Sequence, residues 1–280
     1  MMIFPQPQWM EIKEGEYRVD AAWAEKSLTA LYAAIKGGMP GVCVASAPML
    51  HKEEYHITVD GEGMTISAAC DEGLFRAATT LQQMLRQTQG VLPFAEIKDE
   101  PALPRRGYMI DISRGKKPRV ATIKMMIDFL AALKYNEFQL YMEGDCFKYA
   151  AYPKETADFD CLTPDDIVEL DAYCKERFID LVPNQNSFGH MYTWLRKPDF
   201  HHLGLFERED EVPSTLNPLL PESHCANQRD KEQVPGHKPT VVIGAFNQLP
   251  EHSGHGKRRG APKPPESPVK DISQADGANH

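Results

Sequence analysis

Adjacent carboxyl groups are the first residues to weigh, because a close acid pair can divide the work of protonating one atom and steering another. Three Asp-Glu pairs occur: Asp71-Glu72, Asp99-Glu100 and Asp210-Glu211. A general acid needs surroundings that raise its pKa. Asp71-Glu72 opens a helical pattern, Asp99-Glu100 lies in a proline-broken stretch, and Asp210-Glu211 belongs to the charged run Glu207 to Glu211. None follows a buried strand, so none is expected to act as a catalytic acid. Arg114, Glu143 with Asp145, and His190 are different, since each comes shortly after a short apolar run. The alternative for Arg114 is a salt bridge to Asp111 or another carboxylate, and His190 could equally be satisfied by a backbone carbonyl. Trp194 is expected to pack its loop, and His201-His202 has no converging carboxylates and is expected in a loop. The six cysteines (Cys43, Cys70, Cys146, Cys161, Cys174, Cys225) form no Cys-x-x-Cys pair and no zinc-like Cys/His spacing. The expectation is reduced thiols, no metal and no cofactor.

The elements that must position these residues fall into two rhythms. Up to about residue 100, Gly41–Ala45, Tyr55–Val59 and Met64–Ala68 alternate at period two, with Asp60-Gly61-Glu62-Gly63 as hairpin turn. These strands predict a small sheet, covered by amphipathic helices over Ala21–Lys36 and Leu74–Arg86. Asp99 to Gly107, with two prolines, suits a domain boundary. Beyond it come strand Tyr108–Ile112, helix Val120–Leu133, strand Phe138–Met142, helix Thr163–Arg177 and strand Ile179–Pro183. Thr163, Pro164, Asp165 and Asp166 form a start signal for the second helix. A β-α-β-α-β order predicts parallel strands. Ile110, Leu140 and Leu181 are expected on the inward, uncovered face of this partial sheet. From Pro221 onward eight prolines and a single apolar cluster, Val241-Val242-Ile243, predict a disordered tail.

The chain has 280 residues, 42% hydrophobic and 25% charged, enough for one large or two ordinary domains. Lys+Arg 31 against Asp+Glu 40 leaves a net charge of −9, which disfavours a nucleic-acid or anionic-membrane partner. The start, Met1 to Trp9, lacks a basic region followed by an apolar one, and no run is long enough to span a membrane. A soluble, cytoplasmic protein is the expectation.

Several blocks then fall in a familiar order. Glu54 to Val59, Ile66 to Ala69, Gly73-Leu74-Phe75-Arg76-Ala77-Ala78-Thr79-Thr80-Leu81-Gln82-Gln83-Met84, Asp99-Glu100-Pro101 and Arg106-Gly107-Tyr108-Met109-Ile110-Asp111-Ile112-Ser113-Arg114 resemble glycoside hydrolase family 20, the β-N-acetylhexosaminidases. The resemblance continues through Lys134-Tyr135-Asn136, Leu140-Tyr141-Met142-Glu143 and Leu181 to Met191, and fades by Glu222.

The resemblance implies an α/β fold: a small α/β N-terminal auxiliary domain (1–100), then the first part of a TIM-type (β/α)8 barrel (strands one to three, 105–222), then an irregular tail (223–280). It also implies substrate-assisted, retaining and cofactor-free hydrolysis of terminal β-linked N-acetylglucosamine or N-acetylgalactosamine, the sugar's own acetamido oxygen attacking the anomeric carbon. By the same resemblance Arg114 would hydrogen-bond the terminal sugar's hydroxyls through its planar fork. Glu143 and His190 would join it as substrate-binding residues, although Glu143-Gly144-Asp145 departs from the family's usual arrangement here. The family's catalytic Asp-Glu pair ends barrel strand four. The pattern is lost before that strand, and a barrel needs about 250 residues. The expectation is therefore a truncated chain with no catalytic residue of its own. Its rival functions are a glycosidase and an inactive fragment with at most weak sugar or partner binding.

Overall fold

The computed structural model describes residues 1–220 apart from 151, 155, 158 and 207–209. The expected tail at 223–280 lies outside the described residues. Among those described, no helix is long and apolar enough to cross a membrane.

The first sheet has five strands: β1 (Trp9–Arg18), β2 (Val42–Ser46), β3 (Tyr55–Asp60), β4 (Gly63–Ala68) and β5 (Val91–Asp99). They lie in the order β1-β5-β3-β4-β2, with β2 parallel to β4 and the other neighbours antiparallel. The three strands read from alternation are present, and β1 and β5 extend the sheet beyond them. Strand β1 alternates weakly because its charged side chains stand at an exposed edge. Strand β5 contains Pro93, a residue that argues against a strand. Here Pro93 pairs with Glu16, just past the irregularity between Lys13 and Glu16 that Gly15 makes possible at φ +116°.

The amphipathic stretch Ala21–Lys36 is two helices, a correction to the single one expected. A short 3₁₀ turn, Ala21–Glu25, is followed by α1 (Leu28–Lys36). Ser27 makes the break: its backbone is extended and its side chain accepts the Ala30 N–H, the work of an N-cap. Helix α2 (Asp71–Thr88) has buried residues on nearly every side. Leu74, Ala77, Ala78, Leu81, Met84 and Leu85 belong to the core of the five-stranded sheet. Phe75 belongs to the second core instead, with ring centroids 5.2 Å from Phe178 and 5.4 Å from Tyr32. A polypeptide ending near Lys98 would bare this second face of α2.

The second sheet is β6 (Gly107–Asp111), β7 (Glu137–Met142) and β8 (Asp180–Gln185), parallel and in sequence order. The crossovers are α3 (Val120–Ala132) and α4 (Pro164–Lys175). Thr163 and Asp166 close a full capping box at the start of α4. Together these elements are an α/β auxiliary domain followed by the first part of a TIM-type barrel. Short helices α5 (Tyr192–Leu195) and α6 (Pro198–His201) follow β8, so His201 and His202 end a helix turn instead of lying in a plain loop.

One expectation is reversed. Leu140 and Leu181 are buried, and with Ile110 they pack in a cluster holding Ile123 and Ile127 of α3 and Leu170 and Cys174 of α4. They face the crossover helices, not an uncovered interior. The opposite face carries Met109, Asp111, Gln139, Tyr141, Val182 and Asn184, each at least partly accessible. In a βαβ layer the helices need the most apolar side of each strand, which leaves the alternate positions to the barrel interior.

Candidate functional site

The register aligns the three strand ends. Asp111 pairs with Tyr141 and Met142 with Gln185, so the segments after β6, β7 and β8 emerge side by side at their C-terminal edge. This is the edge on which open α/β sheets and TIM barrels place ligands.

Glu143, the first residue past β7, is the hub. Its side chain is 7% exposed, and its Oε1 forms an ion pair with Arg114 Nη1 from the segment after β6. Its Oε2 lies 3.3 Å from His190 Nδ1, beyond β8. The same oxygen accepts the Tyr141 hydroxyl at 3.0 Å, and Asn186 Nδ2 donates to that hydroxyl at 2.9 Å. Arg114 and His190 are both 60% exposed at the side chain, so they present donors to solvent while Glu143 anchors them from below.

The carboxylate pairing open to Arg114 is present twice over: besides Glu143, its Nε lies 3.3 Å from Asp111 Oδ2. Asp111 is tuned by opposing influences. Burial pushes its carboxyl up, but donation from the Ser113 hydroxyl and N–H and the charge of Arg114 hold it below its ordinary value. His190 is paired with a carboxylate, not a backbone carbonyl, and its φ of +54° is left-handed, a strained backbone for a non-glycine residue. Gly144 supplies the turn after Glu143 at φ +65°. Asp145 stands aside, its side chain 3.1 Å and its carbonyl 3.0 Å from Lys117 Nζ.

The structure thus brings Arg114, Glu143 and His190 together and leaves Asp145 outside. Trp194 is buried among Tyr149, Tyr152, Phe159 and Phe200, in the packing role expected of it. Sequence reasoning passed over Tyr141 and Asn186. Tyr141 could have been found, because it stands two residues before Glu143 and so on the same strand face.

The chemistry such a cluster offers is recognition of a neutral, hydroxyl-rich ligand. An arginine fork, an imidazole and a carboxylate supply donors and an acceptor without a large net charge. Proton transfer to a leaving group is another matter. Asp71 and Glu72 sit in the first turn of α2, paired with Lys36 and with Lys52 and Arg76. Against expectation Asp99-Glu100 does follow a strand with a buried face: Asp99 ends the antiparallel β5, where it pairs with Lys134 at 2.7 Å, and Glu100 follows it. Asp210 and Glu211 are exposed ahead of Pro213. Among the described residues, no Asp-Glu pair lies at the end of a parallel strand.

Comparison with known proteins gives this arrangement a lineage. Residues 20–100 match the pattern of glycosyl hydrolase family 20, domain 2, and residues 104–229 that of the family's catalytic domain. A beta-hexosaminidase of Akkermansia muciniphila is 30% identical over 163 residues, 51% of this chain and 33% of that protein. One of Vibrio furnissii is 24% identical over 90% of this chain and 49% of its own length. The chain therefore spans between a third and a half of these relatives. Among solved structures, a GH20 exo beta-N-acetylglucosaminidase from Vibrio harveyi in complex with N-acetylglucosamine superposes with a TM-score of 0.68 at 20% identity, over 81% of this chain and 43% of that one. Another family 20 beta-N-acetylglucosaminidase gives 0.56 at 28% identity, over 68% of this chain and 42% of that one. With both family patterns matched in order across the two folded parts, the chain belongs to glycosyl hydrolase family 20.

Proposed function

We propose that the chain carries the sugar-holding part of a β-N-acetylhexosaminidase site. Its substrate is a glycan ending in β-linked N-acetylglucosamine or N-acetylgalactosamine, and its reaction class is substrate-assisted, retaining hydrolysis. The observation that supports this most is the convergence of Arg114, Glu143 and His190 at the C-terminal edge of three parallel strands in a family 20 chain. Arg114 directs its guanidinium to the terminal sugar's hydroxyls. Glu143 fixes that guanidinium and the His190 ring, so less freedom is lost when the sugar binds. The net charge of −9 fits a neutral glycan better than a nucleic acid. We place the protein in the cytoplasm on its cysteine usage.

A second reading, sugar binding without cleavage, draws on the absence of a strand-end Asp-Glu pair among the described residues. One experiment separates the two. Purified chain is titrated with N-acetylglucosamine by NMR and assayed on an aryl N-acetyl-β-glucosaminide. Binding with turnover, both lost in Arg114→Ala, supports the hydrolase. Binding without turnover supports the second reading, and no binding at millimolar sugar removes both.

A further inference from the structure

A cluster on the auxiliary domain takes no part in the site above. His51, Glu54 and Glu100 offer one ligand atom each, all within 4.8 Å of one another. His51 Nδ1 lies 2.7 Å from Glu100 Oε2 and 3.9 Å from Glu54 Oε2. On the other oxygen of Glu54, His56 Nε2 stands 3.4 Å away. The backbone holds these groups in place. His51 N–H donates to Glu54 Oε2 at 2.9 Å and Glu54 N–H returns to His51 O at 3.1 Å, while Gln8 Nε2 fixes the Glu100 carbonyl at 2.9 Å.

In this cluster the carboxylates meet imidazoles in place of lysine or arginine. Glu16, Asp71, Glu72 and Glu96 of the same domain each pair with a lysine or arginine. Among the described residues, Glu54 and Glu100 have only imidazoles as cationic partners. Their side chains are 21% and 36% exposed, so both carboxylates are partly withdrawn from water without a permanent counter-charge.

The geometry points to a divalent cation site of the zinc class, with His51 Nδ1, Glu54 Oε2 and Glu100 Oε2 as protein ligands and water completing the sphere. Ligand atoms about 2.1 Å from a tetrahedral ion stand about 3.4 Å apart. The two His51 separations of 2.7 and 3.9 Å lie on either side of that value and all three ligand atoms lie within 4.8 Å of one another, so the carboxylates would rotate toward the ion on binding. A mixed nitrogen and oxygen set suits zinc, whereas magnesium and calcium prefer oxygen alone. His56 orients the Glu54 carboxylate from its far side, as groups beyond the metal's own ligands commonly do. Glu100 begins the segment that leaves β5 for the barrel, so the ion clasps that segment to the 51–54 turn.

The test is calorimetric titration of zinc chloride into the full chain, first freed of metal with a chelator, beside His51→Ala and Glu100→Gln. Histidines elsewhere also take up zinc, so the readout is the difference between proteins. The expected result is one more zinc bound at micromolar concentration by the parent chain than by either variant. Zinc should also raise the parent's melting temperature, and raise it less in both variants. Matching circular dichroism of the three metal-free proteins establishes that the variants fold. Equal stoichiometry and equal thermal shifts would overturn the site, and equally tight binding of magnesium would overturn the zinc-class assignment.

Discussion

Replacing Glu53 with glutamine should loosen the joint between the auxiliary domain and the barrel half. Glu53 Oε2 accepts from Arg76 Nε at 2.8 Å and pairs with Arg106 Nη2. Its Oε1 accepts from Arg106 Nη1 at 3.2 Å and from Asn136 Nδ2 at 3.3 Å. The side chains of Glu53, Arg76 and Arg106 are 10%, 2% and 16% exposed. Arg76 also donates to the Phe178 carbonyl at 3.1 Å, so the network crosses from α2 to the barrel. Breaking a buried pair from one side leaves a charge without compensation, at about 3–5 kcal/mol. Glu72 stays 3.3 Å from Arg76 Nη2 and offsets part of that, which favours the lower end, about 3 kcal/mol. At about 2–4 °C per kcal/mol for a domain of this size, the melting temperature should fall by roughly 6–12 °C.

Urea unfolding of Glu53→Gln against the parent, with the slope held common, measures the difference. A loss under about 1 kcal/mol would refute the claim that the two arginines depend on this carboxylate. The acid limb gives an independent check. Burial pushes the Glu53 carboxyl up, but hydrogen bonding to Arg106 and the charges of Arg76 and Arg106 outweigh it and hold the group below its ordinary value. A carboxyl depressed in the folded state contributes stability above its unfolded pKa and loses it as pH falls through the folded one. Glu53→Gln should therefore flatten the fall in stability below about pH 4.5.

At the strand-end site, Glu143→Gln should weaken N-acetylglucosamine binding about tenfold, about 1.4 kcal/mol, by freeing Arg114 and His190; an unchanged Kd by NMR titration would remove Glu143 from the binding role. Gly73→Ala should destabilise by about 1–3 kcal/mol although alanine is the better helix former. A Cβ there meets the Glu54 carbonyl at 2.7 Å and the Lys52 carbonyl at 3.2 Å, and a gain in thermal stability would show that this loop yields. His51 should titrate above its ordinary value because it hydrogen-bonds Glu100, and Glu100→Gln should lower that midpoint in an imidazole NMR titration. The sign follows from the raised folded pKa: the pairing is fully present below the unfolded value and is lost as pH rises through the folded one. A midpoint identical in parent and variant would rule out the contact in solution.

Where local chemistry and tertiary demand agreed, the elements could be read directly. Helix α4 starts where Thr163, Pro164 and Asp166 say it must, since a capping box satisfies donors that no neighbour needs to supply. Helix α3 buries Ile123, Ile127, Leu130 and Ala131, the four residues its periodicity puts on one face. Strand β1 was hidden because an exposed edge tolerates charge on both faces, and β5, inside the sheet, because Pro93 sits where the ladder is irregular. The 3₁₀ turn ahead of α1 was hidden because Ser27 interrupts the backbone without disturbing the apolar spacing.

The site shows how one alternation supports both an error and a success. Placing Ile110, Leu140 and Leu181 inward assumed that the apolar face of a barrel strand points to the axis. Two crossover helices connect those strands, and each needs an apolar floor. Once that floor is assigned to Leu140, period two sends Tyr141 to the other side, with Glu143 following at the strand's end. Asp111 joins that side because its register partner is Tyr141. Arg114 and His190 escape the alternation, since each lies in the segment beyond its strand. Their place just past an apolar run and the family resemblance made them legible, and the buried Glu143 carboxylate is what draws both to one point. Asn186 is legible by neither route: its contact with the Tyr141 hydroxyl depends on how the chain turns after Gln185, which pairs with Met142 at the last position of the ladder. Positions fixed by strand parity could thus be derived from the sequence, whereas positions fixed by loop geometry needed the fold.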